Sequence, residues 1–415
     1  MPEFDSVIRS RRTVVPAGAV PASVGIRDGR IEAVGTYAAE MSAREVVDLG
    51  DTALLPGAID LGTGVHAPGQ ELADSYQAVG EAALRGGVTC VVASPAPGRP
   101  AITCADSLQV HQRAAAGAAA SVLFLGGVTR GTGPLDLADL HAGGVVAFQG
   151  SLSDGGAPDM AALGDAQLRK AMAEIATLDS LLLVHAEDAR ELGRPAVSAE
   201  QRPPRAERRG LERVIAAARV VGARTHVAPF TAAECAALLA AAGAVGVEMT
   251  AHTCPHYLCL PSEFPRPDSP ARACRPPLRS DANRKALWSA LLEPDSPILT
   301  VGSGHLPAIG LHTLEWSLSA LWTAARKRGL SLADLARWTS LAPAELLGLG
   351  GRGRIQEGFD ADLVAFADSE ALAVPETDPS PYAGMRLTGR VDRVWVSGRP
   401  ARRELLGTGS LGTRP

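Results

Sequence analysis

Eight short runs rich in β-branched and aliphatic residues recur along the chain, at 54–61, 88–94, 121–125, 144–148, 181–185, 225–230, 245–250 and 298–301. Between most of them lie segments dominated by Ala, Leu, Glu and Arg, at 75–85, 107–120, 165–178, 206–221, 231–242 and 282–292. That composition predicts helices. Strands that read as continuous apolar runs are buried on both faces, as in a parallel sheet covered by crossover helices. Eight such strands alternating with helices are the sequence form of an α/β protein with a (β/α)8 (TIM) barrel. A doubly wound open sheet shares this periodicity and is the competing architecture.

The two ends of the chain have a different rhythm. Residues 4–50 hold short alternating segments, among them Val7-Ile8-Arg9-Ser10 and the run from Ser23 to Gly35, where Asp28-Gly29 predicts a hairpin turn. Residues 352–400 repeat the style in Gly358-Phe359-Asp360-Ala361-Asp362-Leu363-Val364 and in Val391-Asp392-Arg393-Val394-Trp395-Val396. The simplest assembly joins 1–52 and 352–415 into one small β-sandwich-like domain, beside a barrel spanning 53–351.

Across 415 residues, 40 Lys plus Arg against 45 Asp plus Glu leave a formal charge of −5. No basic domain or stripe results, which argues against nucleic acid as a partner. Hydrophobic residues make up 46% and charged residues 20%, enough for a large core. The 44 glycines and 30 prolines stay below the level of low-complexity chains. Six cysteines, Cys90, Cys104, Cys235, Cys254, Cys259 and Cys274, are too sparse and irregular for a disulfide scaffold or a paired Cys-x-x-Cys zinc site. A reducing cytoplasm is therefore expected. The first residues show neither the basic nor the apolar region of a secretory signal. The longest apolar runs fall far short of the ~18 to 20 residues that span a bilayer, so no membrane association is expected.

Several blocks carry a family resemblance. They are Leu55-Pro56-Gly57-Ala58-Ile59-Asp60, the end segments 1–12 and 21–35, Val184-His185-Ala186-Glu187-Asp188, Thr253-Cys254-Pro255-His256-Tyr257-Leu258, Pro276-Pro277-Leu278-Arg279, Asn283-Arg284-Lys285-Ala286-Leu287-Trp288 and Ser380-Pro381-Tyr382-Ala383-Gly384. In this order they resemble the amidohydrolase superfamily over nearly the whole chain, specifically its cyclic-amide branch of allantoinases, dihydroorotases and hydantoinases, with allantoinases the nearest. The resemblance implies hydrolysis of a cyclic amide by two divalent metals and a bridging hydroxide at the carboxyl ends of the strands. Such ions activate water only where ligands fix them with open positions.

Carried onto this chain, most of the implied ligand positions are changed. The first strand's Asp-x-His-x-His reads Asp60-Leu61-Gly62-Thr63-Gly64. The lysine that becomes carboxylated in the family aligns with Gln149, which has no amine to carboxylate. The fifth strand keeps its histidine as His185. The sixth-strand ligand aligns with Pro229, with His226 three residues upstream and expected on the opposite face by period-two alternation. The eighth strand's Ser-Asp-His-x-Pro reads Ser303-Gly304-His305-Leu306-Pro307.

Candidate pocket residues are His66, Gln149, His185, His256 and His305. The blander reading makes His66 a loop histidine and His256 structural, because the seventh strand supplies no ligand in the family. Cys254, His256 and Cys259 are expected on an extended strand end, where they would not converge on zinc. The stretches after Pro307 and at 191–204 read as shortened.

The resemblance thus implies no metal cofactor and only one surviving ligand-type residue, His185. Change is concentrated at ligand positions while core patterning and turn punctuation stay coherent, and three roles remain open. The first is an allantoinase-like pseudoenzyme acting as a scaffold, as a regulatory subunit in a homo-oligomer or with an active enzyme, or as a small-molecule binder. The second is an enzyme of altered chemistry using His185, His305 and Glu187 or Asp188. The third is a cyclic-amide hydrolase with a single or displaced metal.

Overall fold

The chain begins with five strands outside the barrel: β1 (Phe4–Val15), β2 (Gly18–Arg27), β3 (Arg30–Thr36), β4 (Ala43–Asp48) and β5 (Ala53–Pro56). The computed structural model describes residues 2–154, 160–193, 198, 201–264, 269–402 and 404. The barrel strands follow as β6 (Ala58–Thr63), β7 (Val88–Ala93), β8 (Ser121–Gly127), β9 (Ala147–Ser151), β10 (Leu182–His185), β11 (Thr225–Val227), β12 (Met249–Thr253) and β13 (Ile298–Val301). Three more strands close the chain: β14 (Leu363–Ala373), β15 (Arg386–Val396) and β16 (Arg399–Pro400). Residues 403 and 405–415, at the end of the expected β-domain, lie outside the described residues.

The two chain ends form one mixed sheet in the order β16-β15-β14-β5-β1-β2-β3, with β4 added beside β1. The sheet has its own apolar cluster, including Ile8, Val24, Ile26, Ile31, Leu54, Ile355, Leu363 and Trp395. Asp28 and Gly29 make the turn between β2 and β3, both with positive φ (50° and 79°). This is the conformation that matches a hairpin's twist and that an Asp-Gly pair tolerates best.

The apolar run at 54–61 is not one strand. It splits at Gly57, so that β5 pairs with β14 while β6 pairs with β7. Gly57 donates its N–H to the Asp362 carbonyl at 2.8 Å, and a Cβ there would lie 2.1 Å from Thr89 Oγ1. Only a glycine lets the chain pass this close to β7 as it changes sheets. Both halves are buried, which is why they read as a single run.

Strands β6 to β13 pair in sequence order, all parallel. The sequential order removes the doubly wound alternative, whose strand order reverses at a switch point. No ladder joins β13 to β6; polar contacts bridge them instead. Ser303 donates its N–H and hydroxyl to the Asp60 carboxylate at 2.5 and 2.6 Å, and Gly64 donates its N–H to the His305 carbonyl at 2.7 Å. Burial raises the Asp60 pKa against these hydrogen bonds from Ser303 and Thr63.

Inside the barrel, Ile59, Leu61, Cys90, Val92, Leu125, Ala147, Leu181 and Leu183 form an apolar floor. Helices cover the outside: α1 (Leu72–Arg85), α2 (Ala105–Ala115), α3 (Pro134–Ala142), α4 (Asp165–Thr177), α5 (Pro204–Val221), α6 (Ala236–Ala244), α7 (Pro255–Cys259), α8 (Asp281–Leu292) and α9 (Leu314–Arg326). In α1 the buried Tyr76, Val79, Ala83 and Leu84 fall on one face at helical spacing. Helix α2 stops at Ala115, short of the expected 120, and 231–242 opens with a 3-10 turn at Ala233–Cys235 before α6. All six cysteines are free thiols. Among the described residues no helix is long and apolar enough to cross a membrane.

Candidate functional site

The carboxyl ends of parallel barrel strands gather at one mouth, and a cavity of about 160 Å³ lies there. Gly62 comes from β6, Ser94 follows β7, Gln149 sits on β9, His185 ends β10, Pro229 follows β11, and Gly304 and His305 follow β13. His252 and Cys254, at the end of β12, and His256 on α7 complete the wall with Arg202 and Arg275. Gly62, Gln149, His185, Pro229, His256, Gly304 and His305 are therefore brought together. Gly64 and His66 do not line the cavity. Gly64 is held against His305 by its N–H, and His66 is half-buried in the loop after β6.

The side chains around the cavity are locked by specific partners. Gln149 Oε1 accepts from Ser94 Oγ at 2.7 Å. His185 Nε2 is 2.8 Å from Glu187 Oε2, and Arg202 Nε donates to Glu187 Oε1 at 3.2 Å, with a second contact from Arg202 Nη2. Burial pushes the Glu187 pKa up, but the His185 hydrogen bond and the charges of His185 and Arg202 outweigh it and leave it lowered.

Helix α5 fixes this turn from outside. Gly210 packs so closely that a Cβ would sit 1.7 Å from the Ala186 carbonyl oxygen. One turn earlier, Glu207 accepts from Thr231 N–H and Oγ1 and from Ala232 N–H, at 3.0, 2.6 and 3.1 Å, and pairs with Arg279 at 2.6 Å. The loop carrying Pro229 is thereby tied to α5.

Four imidazoles are buried at this end of the barrel. His226 Nδ1 meets Thr250 Oγ1 at 2.6 Å and its Nε2 meets Thr300 Oγ1 at 3.0 Å, while His252 Nδ1 shares Thr300 at 2.8 Å. The expectation that His226 faces away from the barrel interior is corrected: it pairs in register between Leu183 and Thr250 and bonds across to β13. Strand β11 ends at Val227, so the alternation cannot be counted through to Pro229. His305 Nδ1 accepts from Thr313 N–H at 3.0 Å and pins the loop between them. Burial lowers the pKa of His252 to about 4 and those of His256 and His305 to about 3, with small additions from neighbouring histidines at His256 and His305. These groups are neutral at pH 7. His252 Nε2 and His256 Nδ1 are buried without a hydrogen-bond partner.

His256 lies on the short helix α7 rather than on an extended strand end, because Pro255 starts a helical turn there. Cys254 faces the cavity, whereas Cys259 Sγ points to the Ala320 carbonyl on α9 at 3.3 Å. The three do not converge. Burial raises the Cys254 thiol well above its ordinary pKa, which removes it as a nucleophile.

The donor set at the mouth does not fit a binuclear metal centre. A Cβ on Gly64 would meet Leu306 Cδ1 at 2.6 Å and the His305 carbonyl oxygen at 3.0 Å; on Gly304 it would meet Cys254 Sγ and His256 Cε1, both at 2.8 Å. Other side chains occupy the space a ligand would need at these two positions. At Gly62 the space is open, with φ +78°. Among the described residues no three His, Cys, Asp or Glu side chains converge as a divalent metal requires. The 191–204 stretch is described only in part, its residues 194–197 and 199–200 lying outside the described set.

Ser94, Arg202, His252 and Arg275 belong to the cavity without having been marked by the sequence. The nearest signal was a basic residue directly before the Pro276-Pro277 pair.

A model described as the Amidohydrolase family matches residues 42–401. The chain is 36% identical to the allantoinase of Streptomyces avermitilis, covering 96% of this chain and 95% of that protein. It is 34% identical to the allantoinase of Rubrobacter xylanophilus over 96% of this chain and 94% of that one. Among solved structures, the dihydropyrimidinase of Brevibacillus agri superposes with a TM-score of 0.86 at 25% identity, over 97% of this chain and 96% of that one. The L-hydantoinase of Arthrobacter aurescens shares the fold with a TM-score of 0.87 at 23% identity, over 96% of both chains.

Proposed function

This chain belongs to the amidohydrolase family, and from that premise we propose that it is an allantoinase-like member whose barrel mouth binds a small molecule without binuclear metal hydrolysis. It would act as a binding or regulatory subunit, alone or beside an active enzyme. The observation that carries this reading is the refilled space at Gly64 and Gly304, where Leu306, Cys254 and His256 stand in the place of ligands. Gln149 and Pro229 add two further positions that offer no imidazole, carboxylate or amine.

The chemistry points the same way. Without metal activation, water keeps a pKa near ~16. A histidine base such as His185 contributes roughly 10²- to 10⁴-fold, against the roughly 10⁶-fold or more usual for enzymes.

A second reading has one observation in its favour. The His185–Glu187 contact of 2.8 Å is an imidazole oriented by a carboxylate, the arrangement of a metal-free general base.

Ring-opening assays with allantoin, hydantoin and dihydrouracil, with and without added zinc, manganese or cobalt, test both readings. The expected result is no turnover above a host-cell control, with any residue unchanged in His185→Ala. Robust turnover that needs His185 and added zinc would contradict the proposal. Metal-independent turnover lost in His185→Ala would replace it with the second reading.

A further inference from the structure

Two guanidinium groups line the cavity, and they differ in what compensates them. Arg202 is almost fully buried and ion-paired with the equally buried Glu187. Arg275 is half-buried, lines the same cavity, and makes no hydrogen bond or ion pair with any described residue. Burial first, and then the Arg202 charge, lower its pKa, with Glu187 opposing. The ordinary value is high enough that the group stays charged. With Glu187 spent on Arg202 and His185, the cavity wall carries an uncompensated positive charge.

Three other lining side chains, Gln149, His252 and His256, are neutral and carry polar atoms without partners. Gln149 uses its carbonyl oxygen on Ser94, which leaves its amide NH2 without a partner. His252 and His256 line the same cavity, and within its wall His252 Nε2 and His256 Nδ1 are buried with no partner. Buried polar atoms without partners are uncommon and costly, so two in one cavity beside an unpaired guanidinium point to a polar occupant. The volume, about 160 Å³, is room for on the order of ten water molecules, and hence for a ligand of about that many heavy atoms.

Building on the reading of a non-hydrolytic binding site, we propose that the cavity holds a small linear carboxylate with a urea or amide group, its carboxylate on Arg275 and its amide-type atoms among Gln149, His252 and His256. A planar guanidinium matches a carboxylate with two parallel hydrogen bonds. A neutral ring of the same composition offers Arg275 no charge and leaves the cavity's net charge uncompensated. The site therefore favours the opened, anionic form of a cyclic amide over the closed, neutral form.

Hydantoate (ureidoacetate) and hydantoin are a matched pair of probes, differing by one water and one charge. Titration calorimetry on the full chain, after treatment with a chelator, should show hydantoate binding roughly ten times more tightly than hydantoin, or better. Arg275→Gln should weaken hydantoate roughly 10- to 100-fold, the loss of one charge-assisted contact, and leave hydantoin unchanged. Arg275→Lys should fall between, and hydantoate affinity should drop as sodium chloride rises. Circular dichroism verifies that the variants fold; if Arg275→Gln does not, the lysine variant and the salt titration decide.

Equal binding of both probes, no binding of hydantoate, or hydantoate binding indifferent to position 275 and to salt would each overturn the assignment. Metal content and ring-opening turnover measured on the same batch keep the two proposals apart. Turnover would overturn the non-hydrolytic reading whatever hydantoate does. A batch with neither turnover nor hydantoate binding would overturn the anion site alone.

Discussion

Replacing Gly62, Gly64 and Gly304 by alanine, one at a time, asks whether the mouth has been repacked around positions where the family places ligands. Gly62 and Gly304 both have positive φ, +78° and +64°. A Cβ in that conformation costs roughly 1–2 kcal/mol, and the reduced freedom of the unfolded chain returns about 0.4–1 kcal/mol. Both contributions are common to the two sites, so they cancel in the difference. What remains is packing. At Gly62 a Cβ meets nothing within 4 Å, whereas at Gly304 it comes within 2.8 Å of Cys254 Sγ and of His256 Cε1. Cys254 and His256 are 2% and 1% exposed and have little room to move, and overpacking of this kind costs about 1–3 kcal/mol. Gly304→Ala should therefore be less stable than Gly62→Ala by that amount. Gly64→Ala, with no positive φ but contacts of 2.6 to 3.1 Å to His305 and Leu306, should carry the packing cost of about 1–3 kcal/mol without backbone strain, offset by the same gain of about 0.4–1 kcal/mol from the unfolded chain. Urea unfolding with unchanged m-values is the assay. Equal stabilities of the 62 and 304 variants, within about 0.5 kcal/mol, would mean that the mouth still has room for a ligand at 304, and the repacking argument would fail.

Other consequences can be checked independently. His252, His256 and His305 are held neutral, at about 4, 3 and 3, against an ordinary 6.5. The unfolded chain therefore binds more protons below pH 6.5, and stability should fall as pH drops from 6.5 towards 4 by up to about 1.4 kcal/mol per pH unit for each group; a flat profile from pH 6.5 to 5 would contradict their burial. Glu187→Gln removes one partner of a buried ion pair and should destabilise by about 3–5 kcal/mol in urea unfolding, with a loss below 1 kcal/mol refuting its role in holding Arg202 and His185. Gly210→Ala pushes a Cβ to 1.7 Å from the Ala186 carbonyl and should cost at least ~3 kcal/mol; near-native stability would show that α5 can slide away from the His185 turn.

The barrel was legible because each of its strands is buried on both faces and so leaves an unbroken apolar run. The same property hid the break at Gly57: Leu54 and Leu61 are equally buried, and nothing in composition tells a strand of one sheet from a strand of the next. The turn at Asp28-Gly29 was legible because its chemistry is local. Period-two alternation misplaces His226, because β11 ends at Val227 and the alternation does not continue to Pro229. Helices α3, α7 and α9 were not predicted: α7 is a single turn, and α9 is buried on most sides, with Leu314, Ser317, Leu318, Ala320, Leu321, Trp322, Ala324 and Ala325 all covered, so no clear polar face marks it. At the mouth, the changed positions stood out once the resemblance supplied an expected pattern. Arg202, Arg275 and His252 did not, since their place in one cavity depends on three separate loops and strands meeting in space.

Elemental analysis of the purified, dialysed protein tests the central claim most directly. Metal centres usually assemble three or four protein ligands, and the mouth offers His185 engaged with Glu187, Gln149 engaged with Ser94, and glycines whose space is filled or open. The account predicts well under one tightly held divalent ion per chain, unchanged by His185→Ala. About two zinc or manganese ions per chain, lost in His185→Ala, would contradict it.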